Sequence, residues 1–142
     1  KSKIPAQVDL ALQKTNLTDV RKRLIHNLSK GYKQRVGLAA AIIHDPAVLI
    51  LDEPTTGLDP ITTHIIHELI ANMQKKLNIT SIVISHDLEI FKYADNVALL
   101  CDRKIQYFGP AKTIWECDNP YVYQFIRGLT TGPIKTEMDP QI

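Results

Sequence analysis

The sequence predicts an α/β fold in which parallel strands are joined by crossover helices, followed by a β-hairpin and short C-terminal helices. Three observations carry that expectation. The four-residue apolar run Val48-Leu49-Ile50-Leu51 has the pattern of a strand buried on both faces of a parallel sheet. A second, β-branched segment at residues 80–85 lies beyond a helical stretch, and the order strand, helix, strand implies a right-handed crossover between parallel strands. Further on, two apolar stretches flank Asp102-Arg103, as the strands of a hairpin do.

Each element follows from its local pattern. Residues 8–17 read as a short helix with Val8, Ala11 and Leu12 on one side, and residues 18–27 as a basic, polar connector. In residues 30–44, Val36, Ala40 and Ile43 share a helix face with Leu38 and Ile42 beside them. Ser29 stands as N-cap, and Asp45-Pro46 ends the helix. The strand at residues 48–51 leads into turn residues as far as Asp59. Asp59 as cap and Pro60 at the first position open the next helix. There Ile61, Ile65, Leu69 and Met73 recur at helical spacing, flanked by Ile66 and Ile70, until the helix stops near Asn78. A helix at residues 87–93 precedes the hairpin of residues 96–102 and 104–108, which Gly109-Pro110 ends. Short helices are expected near residues 111–116 and 121–127. Residues 129–142, with Gly132, Pro133 and Pro140, are expected to form a loosely ordered tail.

The 142 residues suit one domain, and 44% hydrophobic residues are enough for a core. Lysine and arginine number 17 against 15 acidic residues, a net charge of +2, and the basic residues are scattered, so nucleic acid is not an expected partner. No apolar run approaches the about 18 residues that cross a bilayer, so membrane contact is expected to be peripheral. Cys101 and Cys117 form no CxxC pattern and read as reduced thiols without assigned chemistry. The sequence begins at Lys1 rather than methionine, as expected of a segment from a longer protein. Two parallel strands and a hairpin are few for so many helices, so further strands are expected before Lys1.

The chemistry starts at Asp52-Glu53, two carboxylates at the carboxyl end of the first strand, where open α/β sheets bind ligands. Alone, such a pair is an ordinary polar strand end. Here Pro54-Thr55-Thr56-Gly57-Leu58-Asp59-Pro60 follows at once, and Ser85-His86-Asp87 ends the next strand. With these residues the chain resembles the ATP-binding cassette (ABC) ATPase family, whose Walker B, D-loop and H-loop have this order and nearly this spacing.

The resemblance implies the fold of the C-terminal part of a P-loop NTPase domain. It implies that Asp52 holds Mg²⁺ beside the nucleotide phosphates, through water, since Mg²⁺ gives up its shell reluctantly. Glu53 would orient and deprotonate the attacking water, and His86 would be the switch histidine that contacts the γ-phosphate. Asp59 would couple two nucleotide sites across a dimer, besides capping its helix. His26, His44, His64 and His67 read as surface or satisfied core residues.

Leu28-Ser29-Lys30-Gly31-Tyr32 stands where the family has its LSGGQ signature, with Lys30 for the first glycine and Tyr32 for the glutamine. Its physical logic is anion binding by the Ser29 hydroxyl, the backbone at Gly31 and the free N–H groups of the helix that begins at Lys30. Lys30, Lys33 and Arg35 crowd the first turns of that helix, where each opposes the macrodipole by roughly 0.3–1 kcal/mol. A triphosphate from a partner subunit would give those charges a purpose, with Ser29, Lys30 and Gly31 touching its ATP.

No GxxxxGK[ST] phosphate-binding loop occurs in the sequence. The expected organisation is therefore a partial cassette at residues 1–128: residues 1–45 end the helical subdomain and carry the signature helix, residues 46–109 form the Walker B to hairpin core, and residues 110–128 the C-terminal helices. This chain alone is expected neither to bind ATP tightly nor to hydrolyse it.

The run EPTTGLDP at residues 53–60 is similar to transporter cassettes. The stretch Asn119-Pro120-Tyr121-Val122-Tyr123-Gln124-Phe125-Ile126-Arg127-Gly128, leading to Gly132-Pro133-Ile134, is similar to the ATPases of the Mla (MCE-linked) phospholipid-trafficking transporters. The signature variant is also similar to cassettes of ABC-2 type exporters. What the resemblance implies is an ATP-hydrolysing subunit of a lipid transporter. It would act with a second ATPase subunit in a head-to-tail dimer, on an integral membrane permease, at the cytoplasmic face of the inner membrane. The other readings are a non-catalytic truncated module that docks on a full-length cassette, and a soluble ABC ATPase with no permease.

Overall fold

The computed structural model describes residues 4–135, in two compact units, Lys1–Asp87 and Leu88–Ile142. In the first unit the chain runs through α1 (Ile4–Lys14), α2 (Lys30–Ile42), β1 (Val48–Asp52), α3 (Pro60–Leu77) and β2 (Thr80–Ile84). α1 begins earlier than the apolar spacing suggests and stops earlier too, because Asn16 takes a left-handed conformation (φ 53°). That reversal drops Leu17 into the core, where it is 1% exposed. The polar connector winds into two 3₁₀ turns, Thr18–Val20 and Ile25–Asn27.

Ser29 does cap α2, its hydroxyl accepting from the Tyr32 N–H at 3.4 Å. The buried side differs from the expected one. Leu38, Ala39 and Ile42 are buried, Val36 and Ile43 pack at its margin, and Ala40 is exposed. α3 also departs from the expected face. Ile66, His67, Leu69, Ile70 and Met73 face inward, whereas Ile61 and Ile65 are exposed. In both helices the apolar residues cover more than one face, so spacing alone leaves two candidate stripes and the neighbouring elements select one. α3 ends as expected, at Asn78 in the left-handed region, with the Asn78 N–H donating to the Gln74 carbonyl.

β1 and β2 pair in parallel, Val48 with Thr80 through Asp52 with Ile84. The expectation that residues 48–51 are buried on both faces is corrected. Leu49 and Leu51 join the core with Val83, while Val48, Ile50, Ile82 and Ile84 are exposed on the other side. Among the described residues β1 and β2 form a two-stranded sheet, and the core of helices covers one face of it.

The second unit holds a 3₁₀ segment (Leu88–Lys92), β3 (Asn96–Cys101), β4 (Lys104–Pro110), a 3₁₀ segment (Ala111–Glu116) and α4 (Pro120–Arg127). β3 and β4 pair antiparallel, and the turn between them puts both Asp102 (φ 51°) and Arg103 (φ 62°) in the left-handed region, as a two-residue hairpin loop demands. Ile114, Val122 and Ile126 form its core with Val97, Leu99 and Tyr107.

The C-terminal motif has a structural explanation. Asn119 accepts from the N–H groups of Tyr121 and Val122 at 2.9 and 3.3 Å, and its amide donates to the Gln106 carbonyl at 2.9 Å. Gln124, 4% exposed, accepts from the Ile134 N–H at 2.7 Å and donates to the Ile134 carbonyl at 3.0 Å. Gly132 (φ 156°) passes against the Gln124 amide, where a side chain would collide. Ile134, within the stretch expected to be loosely ordered, is thus held by both its backbone groups. Residues 136–142 of that stretch lie outside the described residues.

Candidate functional site

The two central acids leave the carboxyl end of β1. Asp52 is its last residue and is exposed. Glu53 extends the ladder by one bond, its N–H donating to the Ile84 carbonyl at 2.9 Å, and then turns into the left-handed region (φ 46°). That conformation costs a non-glycine residue on the order of 1 kcal/mol, and backbone strain of this kind gathers at functional sites. It follows directly on the sheet-bound N–H.

Across the strand ends, His86 Nδ1 lies 2.8 Å from Glu53 Oε1, and the Thr56 hydroxyl donates to Glu53 Oε2 at 3.0 Å. An ionised carboxylate only accepts, so Nδ1 carries the proton. The His86 hydrogen bond is the largest cause that lowers the Glu53 pKa, with Thr56 adding to it and partial burial opposing. Reciprocally, the bond to Glu53 raises the His86 pKa, with the Glu53 and Asp87 charges adding. The site is thus a histidine–carboxylate pair at the edge of solvent, in which each partner favours the other's charged form.

The Asp59 carboxylate is engaged through both oxygens. Oδ1 accepts from the N–H groups of Ile61 and Thr62 at 3.1 and 3.0 Å, and Oδ2 from the Thr62 hydroxyl at 2.6 Å. The Thr62 hydroxyl is the first cause of its lowered pKa, and the Thr62 N–H the second. This settles Asp59 as the cap of α3.

Gly31 and Lys30 join the signature helix to this region. A β-carbon on Gly31 would stand 2.6 Å from the Thr62 methyl group, so glycine is what lets α2 approach the first turn of α3. The Lys30 ammonium lies over the α-carbon of Gly57 (φ 71°), in the loop between Glu53 and Asp59. Arg35 donates to the Asn16 carbonyl at 3.5 Å and stands 5.3 Å from the Tyr32 ring, whose hydroxyl donates to Asp19 at 3.1 Å. Of the three cations near the start of α2, Arg35 is therefore engaged within the chain, and the Lys30 ammonium stands against Gly57. Among the described residues no hydrogen bond or ion pair joins Ser29, Lys30 or Gly31 to Glu53 or His86.

The residues present fit a magnesium nucleotide in their donor chemistry. Among the described residues no three His, Cys, Asp or Glu side chains gather to hold an ion. Magnesium does not require such a group, because one carboxylate beside phosphate oxygens and water satisfies it. Asp52 offers that carboxylate. The N–H groups at the start of α2 and the Ser29 hydroxyl offer anion-binding donors. Thr56, Thr62 and Gly57 are contacts of Glu53, Asp59 and Lys30 that motif reading missed, since they depend on which loops meet.

Comparison with known proteins gives the family of the chain. Residues 3–56 match the family model described as ABC transporter. The energy-coupling factor transporter ATP-binding protein EcfA2 of Clostridium perfringens is 40% identical over 113 residues, 79% of this chain and 40% of the relative. The intermembrane phospholipid transport system ATP-binding protein MlaF of Escherichia coli is 35% identical over 128 residues, 89% of this chain and 48% of the relative. The solved structure of cbiO1 from Clostridium perfringens, part of the ABC transporter complex cbiONQ, superposes with a TM-score of 0.77 at 36% identity, covering 90% of this chain and 49% of that one. The chain spans less than half the length of each. By fold it is an α/β ABC ATPase. In sequence it is homologous to the ATP-binding domains of ABC transporters.

Proposed function

We propose that this chain supplies the signature, Walker B, D-loop and switch segments of an ABC transporter's nucleotide-binding subunit, which hydrolyses ATP to drive transport. The observation that carries the reading is the His86–Glu53 pair at adjacent parallel strand ends, 2.8 Å apart.

In this reading Glu53 accepts the proton of the water that attacks the γ-phosphate, and the phosphate–oxygen bond to ADP breaks as the water oxygen joins phosphorus. Held by His86 and Thr56, the Glu53 carboxylate is a weaker base than a free one. When protonated, the imidazole of His86 is drawn to phosphate more strongly than to a single carboxylate. When it turns there, Glu53 is released to take the proton. Mg²⁺, when bound, neutralises developing charge on the phosphates, and Asp52 is the residue that would hold it, through water. Ser29, the Gly31 N–H and Lys30 would face ATP held by a second subunit in a head-to-tail dimer, Lys30 only after its ammonium leaves Gly57. Asp59 would link the two sites while it caps α3.

Phospholipid is the proposed cargo. Its support is the 35% identity to an intermembrane phospholipid transport ATPase and the C-terminal Asn119, Gln124, Gly132-Pro133-Ile134 pattern. The partners are then an integral membrane permease and the second ATPase subunit, at the cytoplasmic face of the inner membrane. Among the described residues no helix is long and apolar enough to cross a membrane, so the permease would supply the membrane span.

The test is ATP hydrolysis by the purified nucleotide-binding subunit that carries this sequence, with its permease in phospholipid vesicles. Glu53→Gln should lower kcat by about a thousandfold while ATP still drives dimerisation. Undiminished hydrolysis in that variant would sink the assignment of the base, and transport that ignores phospholipid would sink the cargo.

A further inference from the structure

The buried side of α3 carries one ionisable residue. His67 is 0% exposed among Ile66, Leu69, Ile70 and Met73. An imidazole in such a stripe costs free energy unless it meets a polar partner, and leucine would fill the place without that cost. Its Nε2 stands 3.9 Å from Oδ2 of Asp87, a side chain 28% exposed. Asp87 directly follows His86, and its N–H donates to the Ser85 hydroxyl at 3.1 Å. The Asp87 charge also favours the charged form of His86.

These contacts run in one line. Glu53 meets His86, the peptide joins His86 to Asp87, and Asp87 meets His67 inside the helix that Asp59 begins. We propose that His67 is a positioning residue for the switch loop, holding Asp87 and through it setting where His86 presents its ring to Glu53. A displacement of α3, such as one that starts at its Asp59 end, then reaches His86 through one side-chain contact and one peptide. Packing alone does not call for a histidine here, whereas holding a carboxylate does.

The inference rests on the ATP-hydrolysis reading, and the experiment separates the two. Steady-state hydrolysis is measured on the subunit that carries this sequence, as wild type, His67→Leu, Asp87→Asn and the double variant. Each single change should lower kcat about tenfold, with KM for ATP and the melting temperature little moved, because a loop displaced by a fraction of an ångström misplaces a reacting group. The double variant should be no worse than either single one, as for residues acting as a unit. His67→Gln, which keeps a polar group on the Asp87 side of the helix, should recover part of the rate. Additive losses, or a His67→Leu enzyme as fast as wild type, overturn the proposal.

If His67→Leu does not fold, His67→Met and Asp87→Asn complete the same cycle. A wild type that hydrolyses no ATP would sink the ATPase reading. The ¹⁵N shifts of the His86 ring, which need no turnover, would then decide the positioning role, moving with substitution at residue 67 if it holds and staying fixed if it does not.

Discussion

His86 Nδ1 is 2.8 Å from Glu53 Oε1, so the base and the switch of the proposed reaction hold each other when nothing lies between them. The contact joins residues 33 positions apart, and it exists because β1 and β2 pair in register up to Asp52 and Ile84.

That pair has a defined pH window. Glu53 is lowered from its ordinary 4.5, so its contribution to stability is present above 4.5 and is lost as pH falls through its folded pKa. His86 is raised from 6.5, so its contribution is complete below 6.5 and is lost as pH rises through its folded pKa. The pair is therefore whole between about pH 4.5 and 6.5 and weakens on both sides. His86→Ala should move the Glu53 carboxyl pKa back up toward its ordinary value, read by ¹³C NMR titration. An unmoved Glu53 would show that His86 is not its main partner.

Gly31→Ala should destabilise the protein by about 1–3 kcal/mol, because the added methyl overpacks the Thr62 methyl group. Thr62→Ser removes that methyl and keeps the hydroxyl on Asp59. The double variant should therefore recover most of the loss in a denaturant melt. No recovery would place the strain elsewhere.

Asp59→Ala should lower the melting temperature as the cap of α3 is lost, and Asp59→Asn less, since its amide oxygen still accepts from the Ile61 and Thr62 N–H groups. If Asp59 also couples two nucleotide sites, Asp59→Asn should keep the stability and lose cooperativity in ATP hydrolysis. Equal melting behaviour of wild type and the alanine variant would refute the capping role.

Gln124→Ala should release Ile134 and leave its backbone groups unpaired by side chains, a loss of about 1–3 kcal/mol. Hydrogen exchange at the Ile134 amide is the direct measure. Protection unchanged in the variant would mean that Gln124 does not hold this segment.

Much of the site was legible in residue order. Asp52-Glu53 after an apolar run, Asp59-Pro60 opening a helix, Ser29 as a cap and the Asp102-Arg103 turn are local signals, each set by hydrogen bonds within a few residues, and each stands where expected. Which side of a helix turns inward is a different matter. In α2 and α3 apolar residues lie on two faces, and the choice of Leu38 over Ala40 or Ile66 over Ile61 is made by elements far along the chain.

The sequence by itself determined the class of this protein and the types of residue at its site, because turns, caps and strand ends are fixed by short-range sterics and hydrogen bonding. Only the tertiary structure decided what those residues touch. It put His86 on Glu53, Thr62 against Gly31, Lys30 over Gly57 and His67 beside Asp87. Each of those contacts spans 20 or more positions, and it forms only when packing of the core brings separate loops together.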